Sequence, residues 1–463
     1  MKMGMLGNFL KKSAPKMVNS ANKLEDAFDF SMIMELPGRP QRSLVLLYST
    51  GGYCFLKTFC YFLLSDDVCM IFPESLTTDQ KKNIEKIFNP NIIVDRERTD
   101  LDCEYFSLEK TNMFLNSSQV HLLAPELKAL MSTSGVTGSP KIAKLSHSNI
   151  LANIDQVLSM KPILASDICL LYQPLSFVMG LTVLTSHLAS SATIVPNTEV
   201  VLSKAFWERM KKFQVTFFSG VPLRYEVLLA NQFKDLEQIP LNYMTVGGGR
   251  LRDESFLAVV DYCKKRGIAF YNVLGQTEAC GRLAFLDLEN AASKVGAVGR
   301  AVKNGKLRVD STGELIYSGP NVFGGYASDI QGLSFFEYID ELRTGDLARI
   351  DDEGFFYITG RIKRIIKLIG LRISLDECEN FLSSALNRPL YCCGIDDGFL
   401  LVVSESTDIL PVFVKEFLSK YMANISLDLI RIRRIDKIPS TDRGKIDYQK
   451  ILAMENSGLL IEY

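Results

Sequence analysis

Ser132-Thr133-Ser134-Gly135-Val136-Thr137-Gly138-Ser139-Pro140-Lys141 puts five hydroxyl side chains, two glycines and one lysine into ten residues. Glycine lets backbone N–H groups approach an anion closely, and hydroxyls with an ammonium complete a cradle for phosphate. The run is not a Walker A loop, because Pro140 precedes the lysine and Ile142 follows it. Residues 130–133 read as a strand and 146–160 as a helix with Ser146 as its N-cap, so the loop is expected between a strand and a helix. The same rhythm runs outward on both sides. Upstream, 43–48, 68–72 and 91–94 read as buried strands, with helices at 53–64 and 78–88 between them. Downstream, strands at 168–172, 192–195, 215–218, 243–246 and 269–273 are interspersed with helices at 203–213, 222–231 and 253–266. Strand and helix in alternation imply an α/β body built on parallel sheet.

After about residue 295 the pattern becomes β-rich. Residues 305–310 and 313–317 read as strands joined at Ser311-Thr312. Residues 347–350 and 355–358 flank Asp351-Asp352-Glu353-Gly354, a hairpin signal. The last hundred residues read as a small α+β unit, with helices at 376–386 and 409–423 and strands at 391–395, 399–403 and 427–435.

Composition narrows the classes. Lys+Arg number 52 and Asp+Glu 53 in 463 residues, a net charge of −1, which excludes a broad electrostatic footprint for nucleic acid. A content of 47% hydrophobic and 23% charged residues is that of a globular chain. No apolar run reaches the roughly 18 residues of a membrane helix. The ten cysteines are scattered with no C-x-x-C pair, and there are only three histidines. That argues against a disulfide framework or a zinc site and for a reducing cytoplasm. Adjacent Cys392 and Cys393 should point to opposite faces of a strand. Lys2, Lys11, Lys12 and Lys16 are followed by no long apolar core, so no signal peptide is read; an amphipathic first helix is the alternative.

Four further segments carry chemistry. Gly275-Gln276-Thr277-Glu278 follows an expected strand and offers a hydroxyl and a carboxylate for a phosphate and its Mg²⁺; a plain helix start is the alternative. Arg343-Thr344-Gly345-Asp346 places a carboxylate able to accept both hydroxyls of a ribose, or forms an ordinary turn. Residues 361–372 hold Arg361, Lys363, Arg364, Lys367 and Arg372 among aliphatics. Few interleaved aromatics and the near-zero net charge weigh against RNA binding there. Pro439-Ser-Thr-Asp-Arg-Gly444-Lys445 ends on a lysine in a turn. Beside these four, Gly247-Gly248-Gly249 would let a flat ligand lie close to backbone.

In this order the segments resemble the adenylate-forming superfamily, which comprises acyl-CoA synthetases, luciferases and the adenylation domains of peptide synthetases. The resemblance runs from about Leu44 to Lys445. The loop at 132–141 is similar to that family's [ST]-S-G-[ST]-T-G-x-P-K, and Leu274–Glu278 to its Y-G-x-T-E. Gly313-Glu-Leu, Gly319-Pro320, Gly325-Tyr326, Thr344-Gly-Asp346, Gly360-Arg361, Lys367, Gly370 and Gly444-Lys445 occupy its remaining signatures. Leu181-Thr-Val-Leu-Thr-Ser-His-Leu188, Phe218-Ser-Gly-Val-Pro222 with Tyr225, and Leu274–Ala279 with Arg282 resemble ligases of bacterial surface-polysaccharide or carrier-protein pathways.

The resemblance implies two half-reactions. A carboxylate attacks the α-phosphorus of ATP to give an acyl-adenylate and pyrophosphate. A thiol, of CoA or of a carrier-protein phosphopantetheine, then displaces AMP. It also implies roles. Lys445 bridges the carboxylate and the α-phosphate, Thr277 bonds the α-phosphate, and Glu278 holds Mg²⁺. Thr133, Ser134, Gly135, Thr137, Gly138 and Lys141 hold the β,γ-phosphates. Gly247, Gly248, Gly249 and Leu274 lie against the adenine, Gly275 and Gln276 also bind ATP, and Asp346 and Arg361 bind the ribose. Phe177, Val178, Phe218, Val221 and Val246 form an apolar acyl pocket. An N-terminal AMP-binding body (1–362, β-rich at about 295–360) and a mobile C-terminal domain (363–463) are expected, with Lys363 as hinge and Gly370 on the thiol's path. The expected partners are a small carboxylic acid and an acyl carrier protein, with no nucleic acid and no membrane span.

Three positions depart from the pattern. Leu274 stands where relatives place an adenine-stacking Tyr, Phe177 where they place a His, and Val136 where they place a hydroxyl. A degenerate synthetase fold acting as a nucleotide-binding regulator or scaffold is the alternative. Glu278, Asp346, Arg361 and Lys445 argue against it.

Overall fold

A computed structural model describes residues 3–30, 40–95, 106–108, 113–116, 120–132, 141–368, 371–396, 398–405, 414, 416, 429–441 and 446–462. The chain packs as two compact units. The first comprises 1–295, 299–307 and 317–342, and the second 296–298, 308–316 and 343–463.

Three sheets organise the first unit. In the first, strands Leu127–Ser132, Val68–Pro73, Leu44–Ser49 and Ile92–Val94 lie parallel in that spatial order. Their sequences are almost wholly apolar, because a parallel sheet is covered on both faces and no alternation is left. Helix Thr78–Phe88 lies between two of these strands in sequence, at the residues its 3.6-residue period predicts. Thr77 caps it, accepting from Gln80 N–H while the Gln80 side chain returns to the Thr77 N–H. A second sheet pairs Ile168–Leu171, Thr193–Pro196 and Lys16–Val18 in parallel, closed by an antiparallel Leu24–Asp26. The third runs Phe217–Gly220, Tyr243–Gly247 and Ala269–Leu274 in parallel, then Ala284–Asp287 antiparallel.

One expectation fails here. The hydroxyl-rich loop does not lead from a strand into a helix. Strand Leu127–Ser132 is followed by a second strand, Ile142–Ser146, antiparallel to it with Ser132 opposite Ile142. Helix His147–Met160 starts only after that strand, capped by Ser146 as expected. The strand was hidden because Lys144 interrupts its apolar run. That lysine is buried, and its ammonium donates to the carbonyls of Gly332 and Phe335 at 3.2 and 2.9 Å. Helix Val178–Ala189 was also missed. Residues 180–188 are buried all round, so no polar face marks a period. At the start of the chain, Met5–Leu10 forms a helix that buries Leu6 and Leu10.

The second unit contains the hairpin of Leu342–Ile350 and Phe356–Arg361 and the tight pair Ile365–Leu368 with Leu371–Ser374. It also holds a mixed sheet of Tyr391–Ile395, Phe399–Ser404, Ile430–Arg434 and Ile461–Glu462. Helices Leu375–Ala385 and Tyr448–Asn456 cover that sheet, and Cys392 and Cys393 point into two different apolar clusters on its two faces. The described cysteines are free thiols, and all but Cys54 are buried. The helix expected at 409–423 lies almost wholly outside the described residues. Among the described residues no helix is long and apolar enough to cross a membrane.

Candidate active site

Three parallel strands of the first unit, Phe217–Gly220, Tyr243–Gly247 and Ala269–Leu274, end side by side, with Gly220 level with Val246 and Gly247 with Val273. Ligands of open parallel sheets bind beyond such carboxyl ends. Val221, Gly247–Gly249 and Leu274–Glu278 all emerge at this edge. A methyl on Gly248 would lie 3.4 Å from Val221 Cγ1, and one on Gly249 3.3 Å from Pro222 Cγ. Gly247 is held tighter still, since a methyl there would come within 2.7 Å of Val273. Helix Val178–Ala189 approaches the edge through Met179, whose sulfur lies 3.8 Å from Ser219 Oγ. Phe177 and Val178 are half-buried at the start of this helix. The other acyl-pocket candidates divide. Phe218 is fully buried among the rings of Tyr172, Trp207 and Tyr225, and Val246, also fully buried, shares the parity of Met244, which meets Cys263. By strand alternation both side chains therefore face away from Ser219 and Met179.

Leu274 ends its strand opposite Ala284 and is half-buried against the main core. The next residues fold into a compact turn. Gln276 O accepts from both Ala279 N–H and Gly281 N–H, and Leu274 O accepts from Leu283 N–H. Thr277–Ala279 is a single 3₁₀ turn, so the segment is no ordinary α-helix start. Gly275 sits so close to the returning chain that a methyl on it would lie 1.8 Å from Gly281 O.

Two signatures far apart in sequence meet beside this turn. Strand Tyr326–Ala327 pairs with Ile142–Ser146, placing Tyr326 opposite Ala143. The Tyr326 hydroxyl donates to Glu278 Oε1 at 2.7 Å, and Lys141 Nζ lies 5.3 Å from the Tyr326 ring centre. Phe323 N–H donates to the Glu278 carbonyl at 2.9 Å, so the segment is fastened at both ends. Burial and the adjacent Glu278 carboxylate push the Tyr326 hydroxyl upward, so it remains a donor at neutral pH. Lys141, Tyr326 and Glu278 thus form one short chain of cation, phenol and carboxylate. Sequence reading had noted Tyr326 only as part of a signature.

The donor set suits Mg²⁺. Glu278 is a hard oxygen ligand, half-exposed at a strand's carboxyl end. Mg²⁺ typically takes one or two carboxylates plus substrate phosphates and keeps several waters. Among the described residues no group of three or more His, Cys, Asp or Glu side chains could cage a metal.

In the second unit the hairpin sets Asp346 directly opposite Arg361, with Arg361 Nε 2.5 Å from Asp346 Oδ1. Asp346 is 1% exposed, its N–H bonded to Thr344 Oγ1 at 3.1 Å. The Thr344 hydroxyl in turn donates to Leu315 O at 2.7 Å, and Gly345 N–H to Glu314 Oε1 at 3.0 Å. Arg343, which opens the segment, binds Asp310 and Glu314. Lys363 is exposed in the short turn Ile362–Arg364 that follows. Arg364 is fixed by Asp376 and Glu379 at 2.5 and 2.6 Å and stacks 3.6 Å from the centre of Tyr448.

Thr133, Ser134, Gly135, Thr137, Gly138, Gly370 and Lys445 lie outside the described residues. The chain bracketing each of them is held. Ser132 pairs with Ile142, Leu368 with Leu371, and Ser440 bridges Ile446.

The profile of the family described as AMP-binding enzyme matches residues 59–327. Indoleacetate–CoA ligase of Aromatoleum aromaticum is 30% identical over 55% of this chain and 51% of its own length. Oxalate–CoA ligase of Arabidopsis thaliana is 25% identical over 68% of this chain and 65% of its own. The chain thus aligns with about half to two thirds of the length of these curated relatives. O-succinylbenzoate coenzyme A synthetase of Bacillus subtilis in complex with AMP shares the fold with a TM-score of 0.71 at 17% identity, covering 97% of this chain and 98% of that one. ATP-bound MatB of Rhodopseudomonas palustris does so with a TM-score of 0.73 at 17% identity, over 99% and 100%. The profile spans more than half of the chain and includes the hydroxyl-rich loop, the Gly275–Glu278 turn and Tyr326, so the chain belongs to the AMP-binding enzymes of the adenylate-forming superfamily.

Proposed function

We propose that this protein activates a carboxylic acid with ATP and passes the acyl group to a thiol. In the first step a carboxylate oxygen forms a bond to the α-phosphorus, the bond to the bridging oxygen breaks, and pyrophosphate leaves. In the second step a thiol sulfur adds to the acyl carbon, its proton goes to solvent, and AMP departs with the electron pair of the acyl–oxygen bond. No protein nucleophile is needed. The chain's task is to hold two anions together and stabilise the charge of the transferring phosphorus.

The observation that carries this reading is the chain from Lys141 through Tyr326 to Glu278 at the carboxyl edge of the parallel strands. It puts the lysine that closes a phosphate-type loop and a carboxylate suited to Mg²⁺ within reach of one polyphosphate. When bound, Mg²⁺ neutralises charge on the phosphates. Tyr326 orients the Glu278 carboxylate, and Lys141 neutralises phosphate from the other side. Thr277, on the same turn, donates to the α-phosphate. Thr133, Ser134, Gly135, Thr137 and Gly138 supply donors to the β,γ-phosphates. Gly247–Gly249, Leu274 and Gln276 give the adenine a close backbone floor with an aliphatic cover. Asp346 accepts from the ribose hydroxyls while Arg361 holds its orientation. Lys445 serves the first step. Residues 363–463 pivot at Lys363, and Gly370 then serves the thiol. CoA and a carrier-protein pantetheine present the same thiol. The buried free cysteines suit a reducing cytoplasm.

Isotope exchange between pyrophosphate and ATP, run over a panel of carboxylic acids, tests the proposal. Exchange that depends on an added acid supports it. ATP binding with no acid-dependent exchange for any acid would leave a nucleotide-binding regulator instead.

A further inference from the structure

Arg282 follows the Gly275–Gly281 turn and leads into strand Ala284–Asp287. Its side chain is 6% exposed, and its Nε is buried without a hydrogen-bond partner. Burial pulls the guanidinium down to about 10, so it stays charged at neutral pH. Two neighbours are in the same condition. Thr182 Oγ1 and Asn153 Nδ2 are buried and unpartnered. Both flank the residue before Arg282, since a methyl on Gly281 would lie 2.4 Å from Thr182 Oγ1 and 3.4 Å from Asn153 Nδ2. Thr182 stands one helical turn beyond Met179, the residue that meets Ser219 at the carboxyl edge of the strands. Thr182 Oγ1 and Asn153 Nδ2 therefore gather at Gly281, next in sequence to Arg282, beside the helix that reaches the carboxyl edge of the strands through Met179.

An uncompensated buried cation costs free energy that a bound anion returns. Guanidinium, amide N–H₂ and hydroxyl are all donors, and among the described residues no acid closes the set. We propose that Arg282, flanked by Asn153 and Thr182, binds a second carboxylate of the substrate, remote from the one that is activated, so that the substrate is a dicarboxylic acid. The proposal rests on the adenylation reading and narrows it. Arg282 sets specificity and takes no part in the chemistry.

The test uses pyrophosphate exchange with sets of acids matched in length: a monoacid, its ω-amide and its ω-carboxylate. The wild-type protein should favour the ω-carboxylate over the ω-amide by about 10–100-fold in kcat/KM, the range for a buried hydrogen bond to a charged group. In Arg282→Met that ratio should collapse towards one, and Arg282→Lys should retain part of it. Wild-type exchange with monoacids and ω-amides but no gain from the ω-carboxylate overturns the subsite and leaves adenylation standing, whether or not the variants fold. Exchange with no acid of any class overturns adenylation and the subsite with it. Chloride or sulfate raising the melting temperature of the wild type as much as the dicarboxylate does would make Arg282 a structural anion site and overturn the proposal.

Discussion

Replacing Gly275 by Ala tests whether the turn that carries Thr277 and Glu278 must keep its present shape. The added methyl would stand 1.8 Å from Gly281 O and 2.9 Å from Gly281 C, both backbone atoms. To reach the 3.4 Å of ordinary contact, the two strands of the turn must part by about 1.6 Å. No flexible side chain can absorb that. The turn is closed by Gly281 N–H to Gln276 O at 3.0 Å and Leu283 N–H to Leu274 O at 3.0 Å, so parting breaks at least one bond. Overpacking of this kind costs about 1–3 kcal/mol. It also moves Glu278 relative to Tyr326, and a 1 Å misplacement of a positioning group can cost about 10²-fold in rate. Gly275→Ala should therefore remain folded, melt a few degrees lower, and lose about 10²-fold in acid-dependent pyrophosphate exchange. Circular dichroism melts and exchange assays at saturating ATP measure both. Wild-type exchange with an unchanged melting temperature would refute the reasoning, because the turn would then be free to open without consequence.

Lys445→Ala should lose about 10²–10³-fold in adenylation while thioester formation from a supplied acyl-adenylate persists; equal loss in both steps would argue against a pivoting C-terminal part. Asp346→Asn should raise the KM for ATP about 10–100-fold with a smaller effect on kcat, because two ribose hydroxyls lose a charged acceptor; an unchanged KM would remove Asp346 from the ribose site. Glu379→Gln removes the negative charge that Arg364 meets at 2.6 Å and leaves one oxygen where two now accept from the Cys392 N–H and the Tyr448 hydroxyl. It should cost about 1.5–3 kcal/mol in denaturant unfolding, with ATP binding kept; a stability within about 0.5 kcal/mol of the wild type would show that the Arg364 network contributes little to the second unit.

Periodic, capped or wholly apolar segments were legible from sequence. Helix Thr78–Phe88 announced both its ends, and strands Val68–Pro73 and Tyr391–Ile395 stood out as apolar runs between turn residues. Elements failed to show where a residue's tertiary surroundings contradict its type. Lys144 reads as a break in a strand until its ammonium is seen capped by the carbonyls of Gly332 and Phe335. Helix Val178–Ala189 lacks a polar face because the protein covers it on every side. The site divides in the same way. Glu278, Asp346 and Arg361 were named from their motifs, and the hairpin register pairs the last two. Tyr326 acquires its role only when the strand it opens pairs with Ile142–Ser146. Arg282 showed only as part of a resemblance and with no role, because an arginine in sequence carries no sign of whether an acid will face it. Strand parity likewise separates Phe218 and Val246 from Met179 only once the face of the sheet is known.

Oxygen labelling reads whether a carboxylate oxygen bonds to the α-phosphorus of ATP. An acid found by the exchange panel is labelled with ¹⁸O in its activated carboxylate and turned over with ATP and a thiol. AMP should carry one ¹⁸O from the acid, with unlabelled pyrophosphate. Label in inorganic phosphate with ADP as co-product, or AMP free of label, would contradict it.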